Sequence, residues 1–275
     1  MTLSLDADQL DRYSRHIIMD DVGPDGQAAL LDASVLVVGA GGLGSPVLQY
    51  LAAAGVGHLT VVDDDRVELS NLQRQIIHGT DDVGRKKVDS AAEFIESLNP
   101  DITVETHDTR LTAENVVELV TPHDVVVDAS DNFPTRFLLN DACVFADVPL
   151  SHGAVYRFEG QVTTFTGGQP CYRCLFPEAP PEGAVPDCAT AGVLGVLPGT
   201  IGAIQATEVI KLLLDEGETL DGRLLVYDAH SLETHTVPIS PSPDCPVCSE
   251  NARITSVADG DYTDRCVVAE PQSSQ

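Results

Sequence analysis

The chain has 275 residues, 43 of them acidic and 15 basic, for a formal charge of −28, and its only lysines are Lys86, Lys87 and Lys211. Such a length can bury one sizeable core, and the charge lacks the positive footprint that a nucleic-acid partner needs. Dispersed surface acid instead favours solubility and suits a saline cytoplasm.

No basic stretch followed by an apolar core opens the chain, so no secretory signal is expected. The weakly polar run 191–206 holds four glycines, Pro198, Thr200 and Gln205, which makes it a poor membrane span. The expected location is cytoplasmic, with no membrane partner.

Leu10, Tyr13, Ile17 and Ile18 recur at helical spacing and predict one amphipathic helix over 6–20. A break at Gly23-Pro24 and a short helix over 25–32 lead to the apolar run 35–38, a first strand. It ends in Gly39-Ala40-Gly41-Gly42-Leu43-Gly44. The glycines at 39, 41 and 44 fit G-x-G-x-x-G, whose missing side chains let backbone amides and the next helix's positive end approach a phosphate. That helix is predicted over 45–54, and a second strand ends at Asp63, where an acidic side chain commonly holds ribose hydroxyls.

The polar segment Ser70-Asn71-Leu72-Gln73-Arg74-Gln75 then falls at a strand's carboxyl end, the edge that lines the crevice of an open parallel sheet. Lys86 and Lys87 fall in the first turn of a helix predicted over 84–98. Cations there oppose the helix dipole, so they are either phosphate ligands or a solvated pair. Strands over 102–106 and 124–129 flank a helix over 112–120. The latter strand runs into Ser130-Asp131-Asn132, where Asp131 suits magnesium or a cap for the helix over 134–145.

A strand over 149–152 and a hairpin over 155–166, turning around Glu159-Gly160, change the sheet from parallel to mixed. Cys171-x-x-Cys174 precedes a Pro/Gly-rich stretch over 177–198, long enough to be functional or mobile. A helix over 200–214 and strands over 224–228 and 233–239 lead to Cys245-x-x-Cys248. Four thiolates in two C-x-x-C pairs fit a closed structural zinc shell; the rival is a thioredoxin-like redox pair, which needs only one. Residues 252–275 are polar and aperiodic and read as a disordered tail, leaving 1–251 as one domain.

Taken together, the Gly39–Gly44 turn, Asp63, Ser70-Asn71-Leu72-Gln73-Arg74-Gln75, Gly84-Arg85-Lys86-Lys87-Val88, Ser130-Asp131-Asn132 and the cysteine pairs resemble the ubiquitin-activating-enzyme-like family. Its nearest type is the single-domain adenylyltransferase that activates molybdopterin-synthase and thiamine sulfur carriers, including archaeal activators of ubiquitin-like modifiers. The resemblance runs from about Leu10 to Cys248. It implies an α/β, Rossmann-like doubly wound mixed sheet, with a parallel N-terminal half holding ATP and antiparallel additions in the C-terminal half.

By that resemblance Gly39, Gly41, Gly42 and Gly44 line the ATP phosphates, and Asp63 holds the ribose. Ser70, Asn71, Arg74 and Lys87 surround the phosphates, while Asp131, beside Asn132, sits by magnesium. Arg15 matches an arginine that reaches into the other protomer's site, which implies a homodimer. Cys188, in Pro186-Asp187-Cys188-Ala189-Thr190, matches a crossover-loop cysteine that takes the activated glycine as a thioester. Zinc falls to Cys171, Cys174, Cys245 and Cys248. The implied partners are small ubiquitin-like or sulfur-carrier proteins ending in Gly-Gly, together with a separate sulfur donor or target protein.

Attack of a glycine carboxylate on the α-phosphorus brings two anions together, so fixed cations are the needed lever. The nucleophile is already ionised near neutral pH, so no general base is required. His16, His78 and His152 are therefore expected to be packing or surface residues. Two rivals share the glycine turn: an NAD-dependent oxidoreductase, and a non-catalytic nucleotide-binding scaffold.

Overall fold

The computed structural model describes residues 5–178 and 192–262. Five strands lie parallel: β1 (Ser34–Val38), β2 (His58–Val62), β3 (Thr103–His107), β4 (Val125–Asp128) and β5 (Leu150–Tyr156). Then β6 (Glu159–Phe165), β7 (Arg223–Asp228) and β8 (Glu233–Pro238) add antiparallel. The order across the sheet is β3-β2-β1-β4-β5-β6-β7-β8. This is the mixed α/β sheet expected from the sequence.

The helices are α1 (Ala7–Arg12), α2 (Ser14–Ile17), α3 (Gly23–Asp32), α4 (Gly44–Ala54), α5 (Lys87–Leu98), α6 (Val116–Val120), α7 (Phe133–Ala146), α8 (Tyr172–Leu175) and α9 (Val196–Leu214). Val35 and Val37 of β1 pack with α3, α4, α5 and α9, whereas Leu36 and Val38 pack with α6 and α7. Burial on both faces explains why β1 reads as an unbroken apolar run. The connections leaving β1 and returning to β4 go to opposite sides, which opens a crevice at the carboxyl ends of these two neighbours.

Helix α9 is long and apolar enough to cross a membrane, yet its buried face carries Gln205 and Glu208. Glu208 accepts from Thr164 Oγ1 (2.8 Å) and the Leu220 amide (2.6 Å) and pairs with Lys211. It is a core helix whose buried carboxylate is matched, with the Gln205 amide nitrogen on the Asp128 carbonyl.

Several boundaries differ from the sequence expectation. The lead-in helix breaks at Tyr13, which is buried, receives a hydrogen bond from Asn99 Nδ2 (2.8 Å) and lies against Gly55. Helix α5 starts at Lys87, because Gly84 adopts φ 90° and Lys86 bridges to Arg66. The hairpin turns at Arg157-Phe158, not at Glu159-Gly160, since β5 runs on to Tyr156. Gly160 lies within β6, where an added Cβ would stand 2.3 Å from Ile201. Helix α9 starts at Val196, with Pro198 in its first turn, where a missing N–H is tolerated.

The chain also stays ordered beyond 251. Ile254 and Val257 are buried, residues Val257–Asp259 form a 3-10 turn, and Tyr262 donates to Asp141 Oδ2 at 2.8 Å. The aperiodic composition hid this, because the segment is held by partners distant in sequence. Residues 263–275 lie outside the described residues.

Candidate active site

The glycine turn is a steric necessity. Gly39 has φ 103°, and a Cβ on it would stand 2.7 Å from the Ala129 carbonyl oxygen; one on Gly44 would stand 1.8 Å from that of Gly39. Ala40 between them is held from two sides. Its N–H donates to Asp63 Oδ2 (2.8 Å), and its carbonyl lies 2.9 Å from His78 Nε2. A carbonyl only accepts, so Nε2 carries the proton and Nδ1 accepts from Ser90 Oγ (2.9 Å). Burial holds His78 below the ordinary imidazole range.

Asp63 stands at the end of β2. Burial pushes its carboxyl above the ordinary carboxylate range, opposed by Lys87 and by the amides of Asp65 and Ala40. Lys87 Nζ lies 3.8 Å from Asp63 Oδ1 and 2.6 Å from Asp65 Oδ2, with only 7% of its side chain exposed. The two lysines of the sequence motif part company: Lys86 caps α5 and pairs with Asp108 at the surface (2.9 Å). Only Lys87 enters the site.

Ser70 and Asn71 lie on or beside a 3-10 turn, Leu69–Asn71, with their side chains engaged at Glu68. The Ser70 carbonyl accepts from Arg74 Nη1 at 3.3 Å, and the Asn71 carbonyl accepts the Arg74 amide at 3.0 Å. Their backbone thus positions Arg74.

Below the end of β4, buried Asp128 accepts from Ser130 N (3.0 Å), Ser130 Oγ (2.5 Å) and His152 Nδ1 (2.7 Å). Burial works against its charge, but His152, Arg136 and Ser130 together outweigh it, and the carboxyl stays below its ordinary range. This brace shapes the turn that presents Asp131. The cap of α7 is Asn132, whose Oδ1 accepts from the Thr135 amide (2.9 Å), so Asp131 is left exposed at the rim.

These walls enclose a cavity of about 380 Å³, within the usual range for small-molecule sites. Of the residues expected from the sequence, Gly39, Gly41, Gly42, Asp63, Arg74, Lys87, Asp131 and Asn132 line it. Gly44, Ser70 and Asn71 support it without lining it, and Arg15 is exposed on α2, away from this chain's cavity. Cys188 lies outside the described residues. Gln75 lines it from the polar segment placed at the crevice, and His78 and His152 are buried packing residues, as expected, that brace the site; sequence reasoning missed Arg136, Val155 and Pro198 as lining residues. Arg136 alone left a signal, one helical turn after the Asn132 cap.

A second cluster lies apart. The four sulfurs of Cys171, Cys174, Cys245 and Cys248 fall within 4.8 Å of one another, with Cys171–Cys245 at 3.6 Å and Cys174–Cys248 at 3.4 Å. Zinc–sulfur bonds of about 2.3 Å in a tetrahedron set sulfurs about 3.8 Å apart, so this donor set fits zinc. The close contacts run between the two pairs rather than within one, unlike a redox C-x-x-C. The hydrogen bond between Cys171 and Cys245 draws the Cys245 thiol down and pushes the Cys171 thiol up.

Fold and site together define an α/β nucleotide-binding protein with cations converging at the switch point of its sheet. The family described as the ThiF family matches residues 13–247, and the chain belongs to it. It is 65% identical over 269 residues, covering 98% of this chain and 99% of the relative, to the SAMP-activating enzyme E1 of Haloferax volcanii. It is 53% identical over 249 residues (88% of this chain, 92% of the relative) to the sulfur carrier protein adenylyltransferase of Thermus thermophilus. Among solved structures, E. coli MccB with an MccA variant superposes with a TM-score of 0.77 at 24% identity, covering 87% of this chain and 75% of that one. That likeness speaks to the fold.

Proposed function

We propose that this chain is an ATP-dependent adenylyltransferase that activates the C-terminal glycine of a small ubiquitin-like or sulfur-carrier protein. The observation that carries the reading is the set of Asp63, Arg74, Lys87 and Asp131 around one cavity at the glycine turn. The two relatives matched over nearly their full length, an E1 and an adenylyltransferase, support it. Asp63 binds the ribose, and Arg74 and Lys87 take the phosphates. The carrier's carboxylate oxygen bonds to the α-phosphorus as the bond to pyrophosphate breaks. Lys87 is suited to the developing charge because it is already desolvated and fixed. Asp131, exposed at the rim, would hold magnesium, which supplies further neutralisation of the phosphates.

Two steps extend the reading. The Cys188 thiolate attacks the acyl adenylate and releases AMP, forming a thioester for protein modification or sulfur transfer. Arg15, exposed and outside its own cavity, acts in the partner site of a homodimer. An NAD-dependent oxidoreductase leaves Arg74, Lys87 and Asp131 without a task, and a scaffold has no need of a desolvated lysine. The test is isotope exchange: labelled pyrophosphate should enter ATP only when a carrier ending in Gly-Gly is present. Exchange without carrier, or none with any such carrier, would overturn adenylation. Loss of a thiol-labile adduct in Cys188→Ser, with exchange kept, would support the second step.

A further inference from the structure

The strand order gives the cavity two ends. Asp63 and Asp64 after β2, with Thr109 to Leu111 after β3, wall one end; Arg136 of α7, Val155 of β5 and Val193 wall the other. The reading above places the nucleotide at the first end and uses Arg74 and Lys87 on its phosphates. It gives Arg136 no task.

Arg136 lies one turn into α7, its amide donating to the Asn132 carbonyl at 3.3 Å, so its side chain rises over the cap beside Asp131. The guanidinium is held in place. Nη2 donates to the Ser130 carbonyl at 3.3 Å, the Phe133 ring lies 5.3 Å away, and the Tyr172 hydroxyl is a neighbour. Its charge helps to hold buried Asp128 ionised, but Arg136 forms no direct ion pair with a carboxylate among the described residues, and its Nε is buried without an acceptor. A guanidinium has five donors, and the long hydrogen bond to the Ser130 carbonyl together with the one shared with the Tyr172 hydroxyl still leaves donors open.

The wall beside it is apolar and close. Val155, Val193 and Pro198 line it, and an added Cβ on Gly42 would stand 3.1 Å from Pro198. Such a slot admits a backbone without side chains better than a branched one. A Gly-Gly segment entering there would bring carbonyl oxygens that need donors in a desolvated place.

The geometry points to Arg136 as the residue that binds the main-chain carbonyls of the substrate protein's Gly-Gly end and aims its carboxylate at the α-phosphorus. This assignment rests on the adenylation reading of the same cavity. Its charge recognises the acyl substrate, whereas Arg74 and Lys87 recognise ATP. The planar fork matters as well as the charge, because a lysine cannot hold two carbonyls in one orientation.

The experiment uses the full chain, ATP and a ubiquitin-fold protein ending in Gly-Gly, intact and with its last two residues removed. Binding of each carrier is read by calorimetry, and carrier KM by pyrophosphate exchange. Arg136→Gln should raise the KM for the intact carrier about tenfold or more, the size of a lost charged hydrogen bond. ATP affinity should stay within about twofold, and the preference for intact over truncated carrier should shrink. Arg136→Lys should recover only part of the loss, and it carries the comparison if Arg136→Gln folds poorly. A parallel fall in ATP affinity would make Arg136 a phosphate ligand and overturn the assignment; so would unchanged carrier binding. Absence of exchange in the wild type would instead overturn adenylation, while the intact-versus-truncated binding comparison still decides Arg136.

Discussion

The two halves of the sheet treat buried charge differently. At the C-terminal end every charge in the cluster is matched: Asp141, fully buried, takes two 2.7 Å hydrogen bonds from Arg173 and one of 2.8 Å from Tyr262. Asn140, next to it, donates to Asp141 and receives the Tyr172 amide. At the parallel end Asp63 is largely covered and its carboxyl is pushed up, so its partners do not repay its desolvation. Among the described residues, the buried side-chain atoms without partners are Gln75 Oε1, Arg136 Nε and Gln205 Oε1. The first two line the cavity, and Gln205 backs it, with its amide on the Asp128 carbonyl. The Asp141 cluster spends its polar groups on holding the chain together; around the cavity Asp128 is matched by Ser130 and His152, while Asp63, Gln75 and Arg136 are left short of partners where a charged ligand binds.

The sharpest break is Asp141→Ala. Leaving Arg173 buried without its carboxylate should cost about 3–5 kcal/mol and roughly 10 °C in melting temperature. The loss should show in calorimetry, with faster metal release from the neighbouring cysteines read by a chromogenic chelator. A shift under about 2 °C would place the matched charge elsewhere.

Lys87→Ala should do the opposite, lowering carrier-dependent pyrophosphate exchange by at least ~10²-fold with the fold intact. Unchanged exchange would remove Lys87 from the mechanism.

Asp63→Asn sharpens the contrast. A carboxyl whose folded pKa is raised contributes stability that is present below the unfolded value and lost as pH rises through the folded one. At neutral pH its ionisation therefore opposes folding. The variant should melt higher than the wild type without nucleotide, with Lys87 kept by Asp65, while ATP affinity falls. A lower melting temperature would show that Asp63 serves the fold.

The smallest effect is the brace on Ala40. Burial lowers the pKa of His78, so its contribution is present above the unfolded value of about 6.5 and is lost as pH falls towards the folded value. His123, also lowered by burial, acts in the same sense. Melting temperature should fall from pH 7 to pH 5, and His78→Gln should flatten part of that slope. An unchanged slope would remove His78 from it.

Much of this was legible in the order of residues, because those roles are local. Gly39 and Gly44 are demanded by a turn that no side chain fits, Asp63 by its place at a strand's end, and the cysteine pairs by the chemistry of four thiolates. Periodicity found nearly every strand and helix, since a strand buried on two faces or a helix buried on one leaves its pattern in the sequence.

What the tertiary structure alone decided is where side chains go once elements meet. Lys86 and Lys87 are adjacent and chemically alike, yet one is drawn to Asp108 at the surface and the other to Asp65 in the site. The helix that spacing predicts breaks at Tyr13, whose buried ring and hydroxyl are held by Gly55 and Asn99, far along the chain. The segment up to Tyr262 is ordered by Asp141, 121 residues away, and no local pattern can announce a partner at that distance. Propensity and spacing act over a turn or two of chain, whereas a buried charge takes whichever partner the packed fold brings within 3 Å.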